Sequence, residues 1–272
     1  MFLKDYLGKL DLECRIMKEN EVVLVYQMGK VGSSSIYETL NRNGILTYHV
    51  HEFNIPRRIL RQGSFAYNYI TLFEKVIFNL RDVFMILPRK MFLRKLRKKE
   101  RIKIVTLVRE PIGRNVSGLF QVRINRIKKL ILSRDIKLIE RKFYSEFPHF
   151  YPLVWFDEEL KEIFGIDVYK YNFDKEKGYQ IIRRENIEVL VLKLEKLEMN
   201  KKVISSFLSR KIEFMDANKS VDKWYSGVYK EFRKKFIPNG KYMDSVYKSK
   251  YMEHFYAEEE IDEFRKGWLM GG

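Results

Sequence analysis

A glycine- and serine-rich loop with one lysine is the stretch of this sequence best suited to bind an anion. It reads Gly29-Lys30-Val31-Gly32-Ser33-Ser34-Ser35. Glycines let a backbone approach a ligand closely, and the start of a helix offers unpaired N–H groups and a favourable dipole to an anion. The lysine adds a positive charge, and the three serines add hydroxyl donors. These residue types in this order predict a cradle for a phosphate or sulfate group.

The loop departs from the pattern of nucleoside triphosphatases. A Walker A loop has Gly, four residues and then Gly-Lys-Ser/Thr, whereas Lys30 precedes Gly32 here. The hydroxyl that would bind magnesium therefore does not follow the lysine, which disfavours an ordinary nucleoside triphosphatase. For this stretch alone, a purely structural turn is the alternative, because Gly and Ser are common in turns.

A second anion-binding pattern follows a predicted strand at 102–108. Arg109 ends that strand, and we expect the next helix to start at Asn115, with Ser117 in its first turn. A guanidinium can hold a phosphate through two hydrogen bonds, and the serine can donate a third. Parallel α/β sheets bind ligands beyond the carboxyl ends of their strands. Two such patterns at one edge predict a ligand with anionic groups at both ends.

Two histidines, His49 and His51, fall at the end of a predicted strand at 45–51. Alternation places both on one face of the strand, at the same edge of the sheet as the loop. An imidazole titrates near neutral pH, which suits a general base. We expect His51 to be the base, with His49 second and Glu52 or Glu110 as alternatives. A histidine pair that only ends the strand is the other interpretation.

Hydrophobic patterning predicts the elements that position these residues. Residues 22–25 form a continuous aliphatic run, which is typical of a strand buried on both faces. Further strands are predicted at 45–51, 102–108 and 187–194, with a small one at 168–171. Helices are predicted at 55–86, 125–144, 155–164, 228–236 and 243–255. This alternation predicts an α/β fold of three layers, with a central, mainly parallel sheet between helices.

Length and composition favour one main domain over residues 1–272. The chain is 46% hydrophobic and 15% aromatic, so it can bury a large core. We expect a helical segment from about 200 to 272 to pack on or over the site. A single cysteine, Cys14, fits a reducing compartment, and no stretch approaches the roughly 20 apolar residues of a membrane span. No signal peptide is evident, so the expected location is cytoplasmic, with any membrane contact at the inner face.

The formal net charge of +17 implies an anionic partner. Nucleic acid, anionic lipid, a polyanionic glycan and a highly phosphorylated cofactor all satisfy this charge. The densest cationic run is 89–103. We expect it to be the solvated face of a helix, and a landing surface for an acidic polymer or a membrane is the second interpretation.

Together, the two anion-binding patterns resemble the nucleotide-binding signatures of sulfotransferases that use 3′-phosphoadenosine 5′-phosphosulfate (PAPS). Residues 30–35 are similar to the 5′-phosphosulfate loop of that superfamily, and Arg109 with Ser117 is similar to its 3′-phosphate pair. Residues 192–197 are similar to a strand and acidic segment late in the same superfamily. Residues 222–226 read Asp-Lys-Trp-Tyr-Ser, which resembles the Asn-Lys-Trp-Tyr-Ser signature of a bacterial family linked to capsular polysaccharide synthesis. The first position is Asp222 in place of Asn.

This resemblance implies a P-loop-like fold and the transfer of a sulfuryl group from PAPS to a glycan hydroxyl in a bacterial capsule or surface polysaccharide. The product nucleotide would be adenosine 3′,5′-bisphosphate. It implies cofactor contacts from Lys30, Val31, Gly32, Ser33, Ser34, Ser35, Arg109, Ser117, Lys219, Ser220 and Trp224. The His49-Val50-His51 run resembles the arrangement in heparan sulfate 2-O-sulfotransferases, and neither a metal nor a nucleic acid is expected.

Two other functions remain open at this point. An ATP-dependent phosphotransferase of P-loop type would need a hydroxyl and an acid that coordinate magnesium. A non-enzymatic basic module would bind nucleic acid or anionic membrane, with the loop at 29–35 as a structural turn. Likewise, Trp224 and Tyr225 suit the core at the start of a helix as well as a flap over the cofactor.

Overall fold

The computed structural model describes residues 11–54, 88–122, 124–214 and 223–271. Its strands are β1 (Glu21–Tyr26), β2 (Thr47–Val50), β3 (Arg101–Val108), β4 (Tyr179–Arg184) and β5 (Ile187–Lys193). They form one five-stranded sheet in the order β2-β1-β3-β5-β4. β4 runs antiparallel to β5 at one edge, and the other neighbouring pairs are parallel. The predicted central, mainly parallel sheet is confirmed.

The helices lie before, between and after these strands. Residues 11–16, ahead of β1, are helical. After β1 come α1 (Ser33–Arg42), α2 (Pro111–Val122), α3 (Ile124–Leu132), α4 (Ile136–Glu146), α5 (Tyr151–Trp155), α6 (Lys201–Leu208), α7 (Ser226–Lys235), α8 (Gly240–Tyr247), α9 (Lys250–Phe255) and α10 (Glu258–Leu269). A π-helical turn, Phe156–Lys161, continues α5, and residues 88–96 are also helical. In the described ranges, no helix combines the length and apolar character that a membrane crossing requires.

Both faces of the sheet are covered. In β1, every residue from Val22 to Tyr26 is buried, although successive side chains of a strand point to opposite faces. One cluster of buried side chains joins the strands to the C-terminal helices and includes Ile104, Phe232 and Phe255. The chain is therefore an α/β protein whose sheet is flanked by helices, as the continuous apolar runs indicate.

The order of the strands creates a crevice at the carboxyl ends of the parallel strands. β1 has β2 on one side and β3 on the other, so the chain changes direction across the sheet between them. The carboxyl ends of β1 and β3 flank this switch point, which is where open α/β sheets bind ligands. The loop at 29–35 and Arg109 follow these two strands.

Several predicted boundaries were wrong for local reasons. The helix predicted at 125–144 is divided into α3 and α4, because Arg134 adopts a left-handed conformation with φ 53° and Asp135 caps α4. The helix predicted at 243–255 is divided in the same way, since Ser249 caps α9. Residues 168–170 form a 3₁₀ turn instead of a strand. The helix predicted at 55–86 lies outside the described residues.

A buried ion pair fastens helix α10 to the sheet. Lys193 ends β5, its side chain is fully buried, and its Nζ lies 2.6 Å from Glu260 Oε2. The same ammonium donates to the carbonyl oxygen of Lys175 at 2.8 Å. Glu260 Oε2 also accepts the N–H of Ala257 at 2.8 Å, at the start of α10. The pair therefore holds the first turn of α10 against the end of β5.

We expect Glu260→Ala to lower the free energy of unfolding by about 3 kcal/mol, because it leaves the buried Lys193 ammonium without its anion. The double variant Glu260→Ala/Lys193→Met should be more stable than the single variant. Denaturant unfolding at pH 7 measures both. The control, Glu231→Ala, breaks a more exposed pair with Lys235 and should cost less than about 1 kcal/mol. Equal losses in the two single variants would contradict the role of the buried pair.

Candidate functional site

The loop after β1 turns sharply through two residues in the left-handed region. Lys30 has φ 74° and Gly32 has φ 86°. The positive φ of Gly32 favours glycine, and a Cβ atom there would lie 2.7 Å from Leu194 Cδ1, so the leucine side chain would have to shift. α1 then begins at Ser33 without a side-chain cap from the described residues. The N–H groups of its first turn are available to an anion.

The two predicted anion-binding patterns meet in a single site. Arg109 Nη1 donates to the carbonyl oxygen of Lys30 at 2.8 Å. Lys30 Nζ donates to Gln121 Oε1 on α2. Arg114 Nε, from the first turn of α2, donates to the carbonyl oxygen of Gly29 at 2.9 Å. The structure therefore brings Lys30 and Arg109 together and adds Arg114, a third cation that our sequence analysis did not single out.

The residues of α2 that face the loop follow a helical spacing. Arg114, Ser117 and Gln121 lie at intervals of three and four residues, which places them on one face of a helix. Since Arg114 and Gln121 both contact the loop, the half-buried Ser117 between them faces it too. This spacing is the sequence signal that could have identified Arg114 and Gln121 once a helix through 111–122 was assumed.

The start of α2 differs from the prediction. The helix begins at Pro111, so Ser117 lies in its second turn and not in its first. The carboxylate of Glu110 accepts the N–H groups of Ile112 and Gly113 at 2.8 and 2.6 Å. Glu110 thus occupies these N–H groups at the start of α2 and acts as a helix cap. An anion beside Ser117 would meet the hydroxyl of that residue and the guanidinium of Arg109, which precedes α2.

The cations of the site crowd one another. Burial, followed by the charges of Lys223, Arg114 and Arg109, lowers the pKa of Lys30 to about 8. Burial is also the main reason that the pKa of Arg114 falls to about 10. Lys30 is still mostly protonated at pH 7, and a bound anion would raise its pKa again. Uncompensated positive charge of this kind is typical of an anion-binding site.

A cavity of 320 Å³ adjoins the loop. Its walls carry the cations Arg109 and Arg233 and the rings of Phe264 and Trp268. They also carry three carboxylates, Glu110, Glu195 and Glu263. Leu194, another wall residue, packs against Gly32, and Arg109 reaches the loop carbonyl. The cavity therefore shares Arg109 and Leu194 with the surroundings of the loop, and α10 closes it on one side.

His51 lies beside the loop in a defined tautomer. Its Nδ1 is 3.0 Å from the carbonyl oxygen of Gln27, and a carbonyl only accepts, so Nδ1 carries the proton and Nε2 is the basic nitrogen. Nε2 faces the loop, since a Cβ on Gly29 would lie 3.9 Å from it. The residue is exposed to solvent on one side. Partial desolvation of the ring, together with the charge of Lys30, lowers the pKa of His51, so the ring is neutral at pH 7.

His49 is less suited to accept a proton. Its Nε2 is buried and has no hydrogen-bond partner among the described residues. The ring stacks on Tyr37, with centroids 5.1 Å apart, and meets the edge of His51 at 4.7 Å. Burial and the neighbouring His51 lower the pKa of His49 to about 4. Of the two predicted bases, the geometry favours His51.

Buried residues far along the chain hold the turn that carries His51. Glu159, in the π-helical turn, accepts the N–H groups of Phe53 and Asn54 at 2.7 and 3.1 Å and a tyrosine hydroxyl from β1. Trp155 Nε1 donates to the carbonyl oxygen of His51 at 2.8 Å. π-helical turns occur frequently at functional sites. The sequence offers no local signal for these contacts.

The C-terminal helices hold the backbone from which Arg109 projects. The hydroxyl of Tyr251 accepts the N–H of Arg109 at 3.0 Å and donates to its carbonyl oxygen at 3.1 Å. The N–H of Glu110 donates to Glu195 at 2.8 Å, and the hydroxyl of Tyr247 donates to the Glu110 carboxylate at 2.8 Å. The exit of β3 is therefore set by residues between β5 and α9.

The remaining predicted contacts are distributed around the crevice. Val31 is buried under the loop, Ser34 is exposed and Ser35 is half-buried in the first turn of α1. Ser33 is the first residue of that helix. Ser34 and Ser35 are thus at least partly accessible at the start of α1, while Val31 anchors the loop to the core.

The predicted flap is described only at its end. Lys219 and Ser220 lie outside the described residues. Trp224 is 56% exposed, whereas Tyr225 is buried, so only the second of these aromatics belongs to the core. Lys223 lies 5.8 Å from the Tyr225 ring, and its charge contributes to the lowered pKa of the loop lysine. This end of the segment therefore lies near the crevice.

Fold and site together define an α/β protein with a cationic crevice at the switch point of a mainly parallel sheet. Residues 127–257, slightly less than half of the 272-residue chain, match the model of a family, NKWYS, described as "Putative capsular polysaccharide synthesis protein". No curated protein and no solved structure matches the chain. The matched segment starts after the loop and after Arg109, and it contains the residues that hold Arg109 in place.

Glu159→Gln should flatten the pH dependence of stability between about pH 4.5 and 7. Burial raises the pKa of Glu159 from 4.5 to about 7, so the folded state binds more protons than the unfolded state in that window. The free energy of unfolding of the wild type should therefore fall as the pH rises, by on the order of 3 kcal/mol. Denaturant unfolding from pH 4 to 8 measures the slope. The control Glu253→Gln, at an exposed site, should keep the wild-type slope. An unchanged slope in Glu159→Gln would contradict the assignment of this pH dependence to Glu159.

Proposed function

We propose that the protein transfers a sulfuryl group from PAPS to a hydroxyl of a glycan, as a step in the synthesis of a bacterial capsular or surface polysaccharide. The convergence of Lys30, Arg109 and Arg114 beside the imidazole of His51 carries this proposal. The description of the family that matches residues 127–257 supports a glycan as the acceptor. β1, the lysine-bearing loop and α1 would act as a P-loop-like cradle.

The residues present fit a nucleotide with anionic groups at both ends. Lys30 and the start of α1 would hold the phosphosulfate end, and Arg109 with Ser117 would hold the 3′-phosphate. The guanidinium of Arg109 suits this role, because Nη1 reaches the Lys30 carbonyl and Nη2 lies 3.8 Å from a Cβ built on Gly113, at the cavity wall. The 320 Å³ cavity with Trp268 in its wall would take the nucleoside, since small-molecule sites occupy roughly 300–1,000 Å³.

The protonation states of the site suit this chemistry at neutral pH. When bound, PAPS supplies the sulfuryl group: the acceptor oxygen bonds to sulfur as the bond between sulfur and the 5′-phosphate oxygen breaks. His51 Nε2 accepts the proton of the acceptor hydroxyl. Lys30 and the N–H groups of α1 stabilise the charge that develops on the leaving phosphate oxygen, more strongly in the transition state than in the ground state. A base with a lowered pKa and a lysine with a pKa of about 8 are both in the required form at pH 7.

Adenosine 3′,5′-bisphosphate should raise the melting temperature of the wild-type protein more than ATP with magnesium does. Lys30→Met and Arg109→Met should each weaken its binding by about tenfold or more, because each removes a charge-assisted hydrogen-bond donor. Titration calorimetry measures the affinities, and Lys137→Met, an exposed lysine on α4, is the control. A preference for ATP with magnesium would favour a phosphotransferase, and binding of oligonucleotides alone would favour a basic module.

His51→Ala should lower the rate of sulfuryl transfer by about 10²- to 10⁴-fold, the usual contribution of a general base, with the affinity for adenosine 3′,5′-bisphosphate unchanged. His49→Ala should keep most of the activity. Because the pKa of His51 is lowered from 6.5, kcat/KM should rise with pH through a midpoint below pH 6.5. Radiolabelled PAPS with a panel of glycans measures transfer. Equal losses in the two variants would remove the distinction between the histidines.

A further inference from the structure

The basic helix at 88–96 is docked beside the turn that follows β2. Arg89 Nη2 donates to the carbonyl oxygen of Glu52 at 2.7 Å, and its guanidinium lies 5.3 Å from the centre of the Phe53 ring. Phe92 is buried against Tyr48, with ring centroids 4.8 Å apart. Glu52 is the residue next to the proposed base. The helix therefore begins at the edge of the proposed transfer site.

The cations of this segment divide into two groups. Two cations after the helix serve the fold: Arg97 Nη2 donates to the carbonyl oxygen of Ile163, and Lys99 Nζ donates to that of Met17 at 2.6 Å. Those in the middle of the helix are exposed and have no ion pair or hydrogen bond with the described residues. They are Lys90, Arg94 and Lys95.

Nothing within the segment itself neutralises these charges. Residues 88–98 contain six Lys and Arg and no Asp or Glu. Lys90 and Arg94 are one turn apart on the same face, about 6 Å along the axis. Positive charges repeated at this spacing are complementary to a polymer with repeated negative charges. The helix that carries them begins beside Glu52, the residue next to His51, through the contact of Arg89.

We propose that the acceptor is an acidic polysaccharide, held along Lys90, Arg94 and Lys95 while a hydroxyl of one of its sugars meets His51. This inference rests on the proposed function and names its substrate class. Carboxylate, sulfate or phosphate groups on successive sugars would pair with the exposed cations. Such attraction acts over about 10 Å at 0.1 M salt and weakens as salt is added.

The test compares two charge-reversed double variants of the full chain. Lys90→Glu/Arg94→Glu changes the helix at 88–96. Lys137→Glu/Arg141→Glu is the matched control, because it reverses an exposed Lys and Arg at the same spacing on α4. Fluorescent polygalacturonate is the acidic probe and dextran the neutral one. The first double variant should weaken polygalacturonate binding by about tenfold or more, with a smaller salt dependence, and the control by less than about threefold.

Three outcomes would overturn the inference: equal losses in the two double variants, equal affinity of the wild type for dextran and polygalacturonate, or tighter binding to phosphatidylserine vesicles or duplex DNA than to polygalacturonate. Both variants should bind adenosine 3′,5′-bisphosphate as the wild type does. A wild-type protein that binds polygalacturonate through this helix but does not bind the nucleotide would overturn the proposed function and leave the acidic-polymer surface standing.

Discussion

The parallel pairing of β1 with β3 is the constraint on which the crevice depends. Both strands have their carboxyl ends on the same side of the sheet, so the loop after β1 lies next to Arg109, the residue after β3. Arg109 Nη1 donates a hydrogen bond to the carbonyl oxygen of Lys30. Gln27, the residue after β1, connects β1 to β2 and β3 beyond their last paired residues. Its side chain accepts the N–H of Leu107 at 2.9 Å, and its own N–H donates to the carbonyl oxygen of Val50 at 3.3 Å. One buried glutamine thus joins the ends of three strands.

Around this end of the sheet, in the part of the chain that the structure describes, the carboxylates bind backbone N–H groups, whereas the cations of the crevice are not paired with them. Three carboxylates, those of the buried Glu110 and Glu159 and that of Glu195, are each engaged by backbone N–H groups of the surrounding turns. Burial raises the pKa of each of them. They fix the backbone. Burial, followed by the charge of neighbouring cations, still lowers the pKa values of Lys30 and Arg114. The positive charge is therefore left for a ligand.

Residues 127–257 match the capsular polysaccharide family, and the two anion-binding patterns lie before this range. The two parts of the chain nevertheless contact each other at the crevice. The matched range, 127–257, supplies Glu195 and the tyrosines of α8 and α9 that hold the exit of β3. It also supplies Glu159, which holds the turn after β2. The N-terminal part contributes the loop and the histidines. A change in either part would shift the groups contributed by the other.

The sequence by itself determined β1, the glycine loop, β3 and the histidines at the end of β2, because strand patterns and loop chemistry are encoded in runs of about ten residues or fewer. It also indicated that the ends of parallel strands would gather these residues at one edge. It did not determine the start of α2, where Glu110 acts as a cap.

Only the tertiary structure decided the roles of Arg114, Gln121 and Glu159. Their contacts join residues 85 to 106 positions apart, and the burial that shifts the pKa of Glu159 comes from elements distant in the chain. In the sequence, such a glutamate looks the same as one on the surface, since burial is a property of the packed fold and not of the residues next to it.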